Sequence, residues 1–137
     1  MAEISGGCLC GALRYQLRAA PPKISVCHCT HCQKSSGSAF SVNLLTPEAD
    51  IAFTGEMALY EDHTDSGNIL KRYFCPRCGS QMGSHNMLRP GMFILRAGTL
   101  DDTKALERVA LQCWTRSRQP WVRLICDAPE FSEAPKI

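Results

Sequence analysis

At 137 residues the chain can bury one sizeable core but not two. Fifteen Lys and Arg against 13 Asp and Glu leave a formal charge of +2, too small to point to a nucleic-acid partner. Nine cysteines, an odd number, exclude complete disulfide pairing within the chain; no apolar run approaches the roughly 20 residues that cross a bilayer.

Met1 to Gly7 lacks the basic and apolar regions of a signal peptide, so the chain is expected in the cytoplasm, where thiols stay reduced. Cys8-Leu9-Cys10-Gly11 follows, and the alternating stretch Ala12 to Leu17 reads as a strand leaving it. Pro21-Pro22 marks a turn before the second cluster, Cys27-His28-Cys29-Thr30-His31-Cys32, and Ser35-Ser36-Gly37 marks another after it. Phe40 to Leu44 alternates again, and Ile51 to Phe53 with Ala58 to Tyr60 predicts a hairpin across Thr54-Gly55-Glu56. Ile69 to Phe74 runs into the third cluster, Cys75-Pro76-Arg77-Cys78-Gly79. Met92 to Ala97 reads as a buried strand, Asp101 to Arg108 as room for one helical turn, and Leu111 to Thr115 as a further strand. The expectation is a mainly β, small single domain of short antiparallel sheets organised around metal, spanning 1–128, with an irregular tail at 129–137. Residues 46–68 carry six acidic side chains and no Lys or Arg, whereas 69–98 carry five basic ones and no acid. That distribution fits a solvated acidic loop beside basic strands.

The cysteine spacing carries the chemistry. Cys-X-Cys and Cys-X-X-Cys in a reduced compartment point to metal rather than disulfide. Cys8/Cys10 and Cys75/Cys78 are each followed by glycine, which permits the tight turn that aims backbone N–H groups at sulfur. Together they predict a closed four-thiolate structural zinc. Cys27, Cys29 and Cys32 then form a three-thiolate site with an open fourth position, which is where zinc meets a substrate. His28 faces away from its cysteine neighbours along an extended segment, and His31 reads as a solvated loop residue. The competing assignment joins Cys75/Cys78 to the middle cluster and leaves Cys8/Cys10 spare. Cys113 and Cys126, in apolar context, read as inert core thiols.

Three thiolates make a weak Lewis acid for water activation but a good partner for soft ligands, so the natural fourth ligand is a substrate thiol held as thiolate. Such a thiolate attacks a small aldehyde to form a carbon–sulfur bond, or the reverse reaction cleaves one. Lys34, just past the ligands, is a candidate partner for a carboxylate on a thiol peptide.

Gly7-Cys8-Leu9-Cys10-Gly11, the Cys27–Cys32 cluster and Phe74-Cys75-Pro76-Arg77-Cys78-Gly79 together resemble the glutathione-dependent formaldehyde-activating enzyme family, also called centromere-protein-V-like. Ser36-Gly37-Ser38, Ala97 to Asp101 and Pro120-Trp121 are also similar to that family, so the likeness covers nearly the whole chain. It implies an Mss-four-like zinc fold with two zinc ions per chain, structural on Cys8, Cys10, Cys75 and Cys78 and catalytic on Cys27, Cys29 and Cys32. It implies glutathione and formaldehyde as partners, joined into S-hydroxymethylglutathione. Near Leu111 to Trp114, where many relatives carry a histidine, this chain has none.

A zinc-dependent protein-binding module of the same fold is the alternative to an enzyme, and it requires a fourth protein ligand on the middle cluster. A zinc-ribbon nucleic-acid binder ranks last, because only Lys71-Arg72-Tyr73-Phe74 offers basic and aromatic residues together.

Overall fold

Period-two alternation, with turn residues every few positions, gives short strands in this chain rather than long helices. The computed structural model describes residues 4–18 and 23–135, so the Pro21-Pro22 turn lies outside the described residues. Ten strands form: β1 (Ile4–Gly7), β2 (Arg14–Leu17), β3 (Ile24–Cys27), β4 (Ser41–Pro47), β5 (Ile51–Thr54), β6 (Ala58–His63), β7 (Ile69–Phe74), β8 (Gln81–Asn86), β9 (Met92–Arg96) and β10 (Val109–Cys113). A single α-helix, α1 (Thr30–Ser36), accompanies them among the described residues. The turn expected within Asp101 to Arg108 is a 3-10 turn at Thr103–Ala105.

The strands make a three-stranded sheet ordered β1-β2-β5 and a seven-stranded sheet ordered β10-β3-β4-β9-β8-β7-β6. Two expectations change here. The hairpin predicted across Thr54-Gly55-Glu56 does not form, because β5 pairs with β2 in the small sheet and β6 pairs with β7 in the large one. Gly55 instead carries the chain between sheets at φ +100°, where a side chain would meet the Ala12 carbonyl at 2.3 Å. On β6 and β7, Glu61 lies opposite Lys71, an opposite-charge match that favours this register. The large sheet is also not wholly antiparallel, since β10 runs parallel to β3.

Alternation assigns the large sheet two unlike faces. One carries Val26, Leu44, Leu95 and Phe93 and packs against Leu13, Tyr15 and Phe53 of the small-sheet layer. Phe53 stands edge-on to Tyr15 at 5.5 Å and to Phe93 at 5.1 Å between ring centroids, which locks the two sheets together. Truncating Phe93 to Ala would cost about 3–5 kcal/mol. The opposite face is polar. In register order it presents Cys27, Ser41, Asn43, Arg96, Ser84 and Arg72. Ser41, Asn43, Arg96, Ser84 and Arg72 are buried all the same. Helix α1 lies near this face, joined to it by the Gln81 amide, which donates to the Ser35 carbonyl.

Candidate metal centres

The first centre joins the β1–β2 connection to the β7–β8 turn. The sulfurs of Cys8, Cys10, Cys75 and Cys78 all lie within 4.8 Å of one another. Cys8 to Cys10 is 3.6 Å and Cys10 to Cys75 is 3.8 Å. Tetrahedral zinc with bonds of about 2.3 Å needs sulfurs about 3.8 Å apart, so the donor set fits that ion. Backbone geometry supports it. Leu13 N–H donates to Cys8 Sγ at 3.2 Å and Arg77 N–H to Cys75 Sγ at 3.4 Å. Gly79, at φ +77°, closes the second knuckle by donating to the Cys75 carbonyl at 2.9 Å.

Ser80 ties the two knuckles together. Its hydroxyl lies 3.1 Å from Cys78 Sγ and accepts from Leu9 N–H at 3.0 Å. With the backbone N–H groups of Ser80 and Cys10, that hydroxyl brings the Cys78 thiol down to about 5, ready to bind as thiolate.

The second centre forms where β3 passes into α1. Cys27 is the last residue of β3, Cys29 is the N-cap of α1 and Cys32 lies in its first turn. Cys29 Sγ accepts from Cys32 N–H at 3.2 Å, so a ligand sulfur also caps the helix. The three sulfurs lie within 4.8 Å of one another, and among the described residues no fourth His, Cys, Asp or Glu ligand atom joins their group. The Cys27 and Cys29 thiols donate toward Cys32, which holds Cys32 far below the ordinary thiol range. Cys27 and Cys29 are raised in turn, Cys27 chiefly by contact with Cys113 and Cys29 chiefly by contact with Cys27. The geometry thus gathers Cys75/Cys78 with Cys8/Cys10 rather than with the middle cluster.

Several neighbours of this centre differ from the reading by sequence. Cys113 is buried, as expected, yet not remote from the chemistry: β10 places it directly opposite Cys27, thiol to thiol. Cys126 is exposed rather than core, and its sulfur accepts from the Gln112 amide at 3.6 Å. His31 is no solvated loop residue. It lies on α1 with Nδ1 2.8 Å from Asp62 and Nε2 3.1 Å from Asp65, and Asp62 raises it above the ordinary histidine value. His28 does turn away from the sulfurs. It is fully buried against Phe40, with Nε2 2.8 Å from Gln112 Oε1.

Lys34 stands on α1 between two cavities. One, of about 560 Å³, lies between α1 and the polar faces of β6 and β7; Thr30, His31, Lys34, Tyr60, Asp62 and Arg72 are among its walls. The other, about 470 Å³ and shallower, has Gln33, Lys34, Ser38 and Gln119 around it. Asp62 was not singled out by sequence, and Arg72 only as part of the basic-aromatic run Lys71 to Phe74. Their signal is weak: each is one of two adjacent charged residues, Glu61-Asp62 on β6 and Lys71-Arg72 on β7, and nothing local tells which of the two turns toward α1.

The profile of the glutathione-dependent formaldehyde-activating enzyme family matches residues 3–117, which include both cysteine centres. The chain belongs to this family. No curated protein matches its sequence. Among solved structures it is similar to a Rhodobacter sphaeroides protein at 20% identity and a TM-score of 0.59, over 77% of this chain and 96% of that one. That likeness speaks for the fold alone. The family is associated with formaldehyde-activating enzyme activity, and in this member two cysteine clusters could hold metal ions. Among the described residues no helix is long and apolar enough to cross a membrane.

Proposed function

We propose that this formaldehyde-activating-family chain is a zinc-dependent carbon–sulfur lyase or synthase acting on a thiol adduct in the cytoplasm. Glutathione plus formaldehyde is the type reaction: sulfur bonds to the carbonyl carbon and the oxygen takes the thiol's proton, giving S-hydroxymethylglutathione. The observation that carries this reading is the three-sulfur centre, with Thr30 and His31, between Cys29 and Cys32, on the wall of a cavity of about 560 Å³. A closed four-thiolate site holds a fold together, whereas three ligands leave a position for exchange. Zinc on Cys27, Cys29 and Cys32 would supply a soft acceptor that keeps an added thiol ionised near neutral pH.

The chain's own residues set the rest. Helix α1 fixes Cys29 and Cys32 relative to each other through the Cys32 N–H to Cys29 Sγ bond. Lys34, on the cavity wall two residues past Cys32, offers its ammonium to a carboxylate of the thiol peptide. Cys8, Cys10, Cys75 and Cys78 would hold the structural zinc that closes the chain from its first strands to β7.

The test is metal content together with a spectrum. Two zinc ions per chain, and a cobalt-substituted protein whose sulfur-to-metal charge-transfer bands rise on adding glutathione, support the proposal. A fully loaded protein whose spectrum ignores every thiol overturns it. That outcome would favour the second reading, a protein-binding module, for which the observation is Cys113 on β10 directly opposite Cys27.

A further inference from the structure

The polar face of the large sheet holds more buried positive charge than its carboxylates can match. Arg96 ends β9 opposite Asn43 and is 9% exposed. Its side-chain bonds go to neutral acceptors, from Nη1 to Asn43 Oδ1 and from Nε to Gln81 Oε1 at 3.2 Å. Among the described residues no carboxylate pairs with it. A guanidinium that deep is costly unless an anion lies close by.

Arg72 is 7% exposed and does have a carboxylate, with Nε 2.8 Å from Asp62 Oδ2. That carboxylate is shared with His31 at 2.8 Å. Arg72 Nη2 is left buried without a hydrogen-bond partner, on a side chain that lines the cavity beside α1.

The remaining anions are the sulfurs. Cys27 pairs with Ser41 and Arg96 with Asn43 two residues along β4, so these side chains share one face. Burial pushes Arg96 below the usual arginine value and Arg72 repels it, while the Cys32, Cys27 and Cys29 sulfurs pull it back up; Arg72, also penalised by burial, is raised by Cys32, Asp62 and Cys29. A divalent ion on three thiolates has a net charge of −1, and a fourth thiolate brings it to −2. Two guanidinium groups are the matching charge.

We infer that Arg96 and Arg72 are the counter-ions of the three-thiolate centre and make its open position selective for an anionic ligand, a thiolate, over a neutral donor. Both are positioning residues, acting through the field they set and, for Arg72, through the buried, unpartnered Nη2 N–H. The inference rests on the proposed open site, and it names a selectivity that the sulfurs alone do not supply.

The experiment uses cobalt-loaded protein at one fixed pH, titrated with 2-mercaptoethanol and, separately, with imidazole. Arg96→Met should weaken thiolate binding about tenfold or more while changing imidazole binding less than about twofold. Arg96→Lys, which keeps charge but not shape, should stay within about threefold of the parent for the thiol. Arg72→Met is the independent variant should Arg96→Met fail to fold, with the same selective loss expected. Equal weakening of both ligands, or Lys behaving as Met does, overturns the inference while leaving the open site standing. A parent protein that binds neither ligand overturns the open site, and this selectivity with it.

Discussion

Cys113 on β10 lies directly opposite Cys27 on β3 across the parallel pair in the large sheet. The His28 N–H, one residue past Cys27, donates to the Cys113 carbonyl at 3.0 Å, which extends the pairing beyond the strand end. Strands so paired are about 4.8 Å apart, within the Cα separation a disulfide spans. Treating metal-free protein with a hydroperoxide should therefore join Cys27 to Cys113, the two thiol hydrogens leaving as water with the peroxide reduced to alcohol. Peptide mapping by mass spectrometry would show the link. Cys113→Ser should abolish it while keeping two metal ions per chain, since Cys113 stands outside both ligand groups. A Cys113→Ser protein that holds one metal would mean that this thiol is a ligand.

The two centres should fail differently. Cys78→Ala removes one of four sulfurs that tie residues near 9 to residues near 76. Structural zinc supplies on the order of 10–16 kcal/mol in small domains, comparable with a whole domain's stability. Soluble, folded protein should be largely lost. Cys32→Ala should give folded protein with one metal and no thiol-dependent activity. Circular dichroism and metal analysis of both variants check this, and equal unfolding contradicts the division of roles.

Lys34 can be tested by reversing its charge. Lys34→Glu should weaken glutathione binding several-fold more than binding of 2-mercaptoethanol, which has no carboxylate to repel. Both are read from the cobalt spectrum. Equal effects on the two thiols would remove Lys34 from the site.

Gly6 sets how closely the small sheet approaches the turn after β9. A Cβ there would lie 2.2 Å from the Tyr15 hydroxyl and 2.4 Å from the Thr99 carbonyl. The Tyr15 hydroxyl bonds Thr99 Oγ1 at 2.7 Å, and Thr99 in turn donates to the Arg96 carbonyl, so the tyrosine must be the donor. Gly6→Ala should lower stability by about 1–3 kcal/mol or more. Tyr15→Phe, which loses only the hydrogen bond, should cost about 1 kcal/mol. Urea unfolding of metal-loaded protein measures both.

The sequence by itself determined the two cysteine groups and the fold class. Cys-X-Cys and Cys-X-X-Cys spacings put sulfurs within reach of one ion whatever the rest of the chain does, because the constraint is local. Trailing glycines after Cys10 and Cys78 marked the two knuckles, and period-two alternation marked most strands. The seven-residue α1 escaped notice because it has no repeating apolar face to detect; a cysteine cap and one buried cysteine define it.

Only the tertiary structure decided which strand meets which. Ile51 to Phe53 and Ala58 to Tyr60 look like two arms of a hairpin, yet their partners lie in different sheets, and nothing local distinguishes the outcomes. The same holds at the second centre. Arg72, Arg96, Asp62 and Cys113 come from four different strands and gather around the second centre and α1 through pairings between segments far apart in the chain. An alternating pattern tells which side of a strand a residue takes, but the company it keeps there is set by register across the sheet.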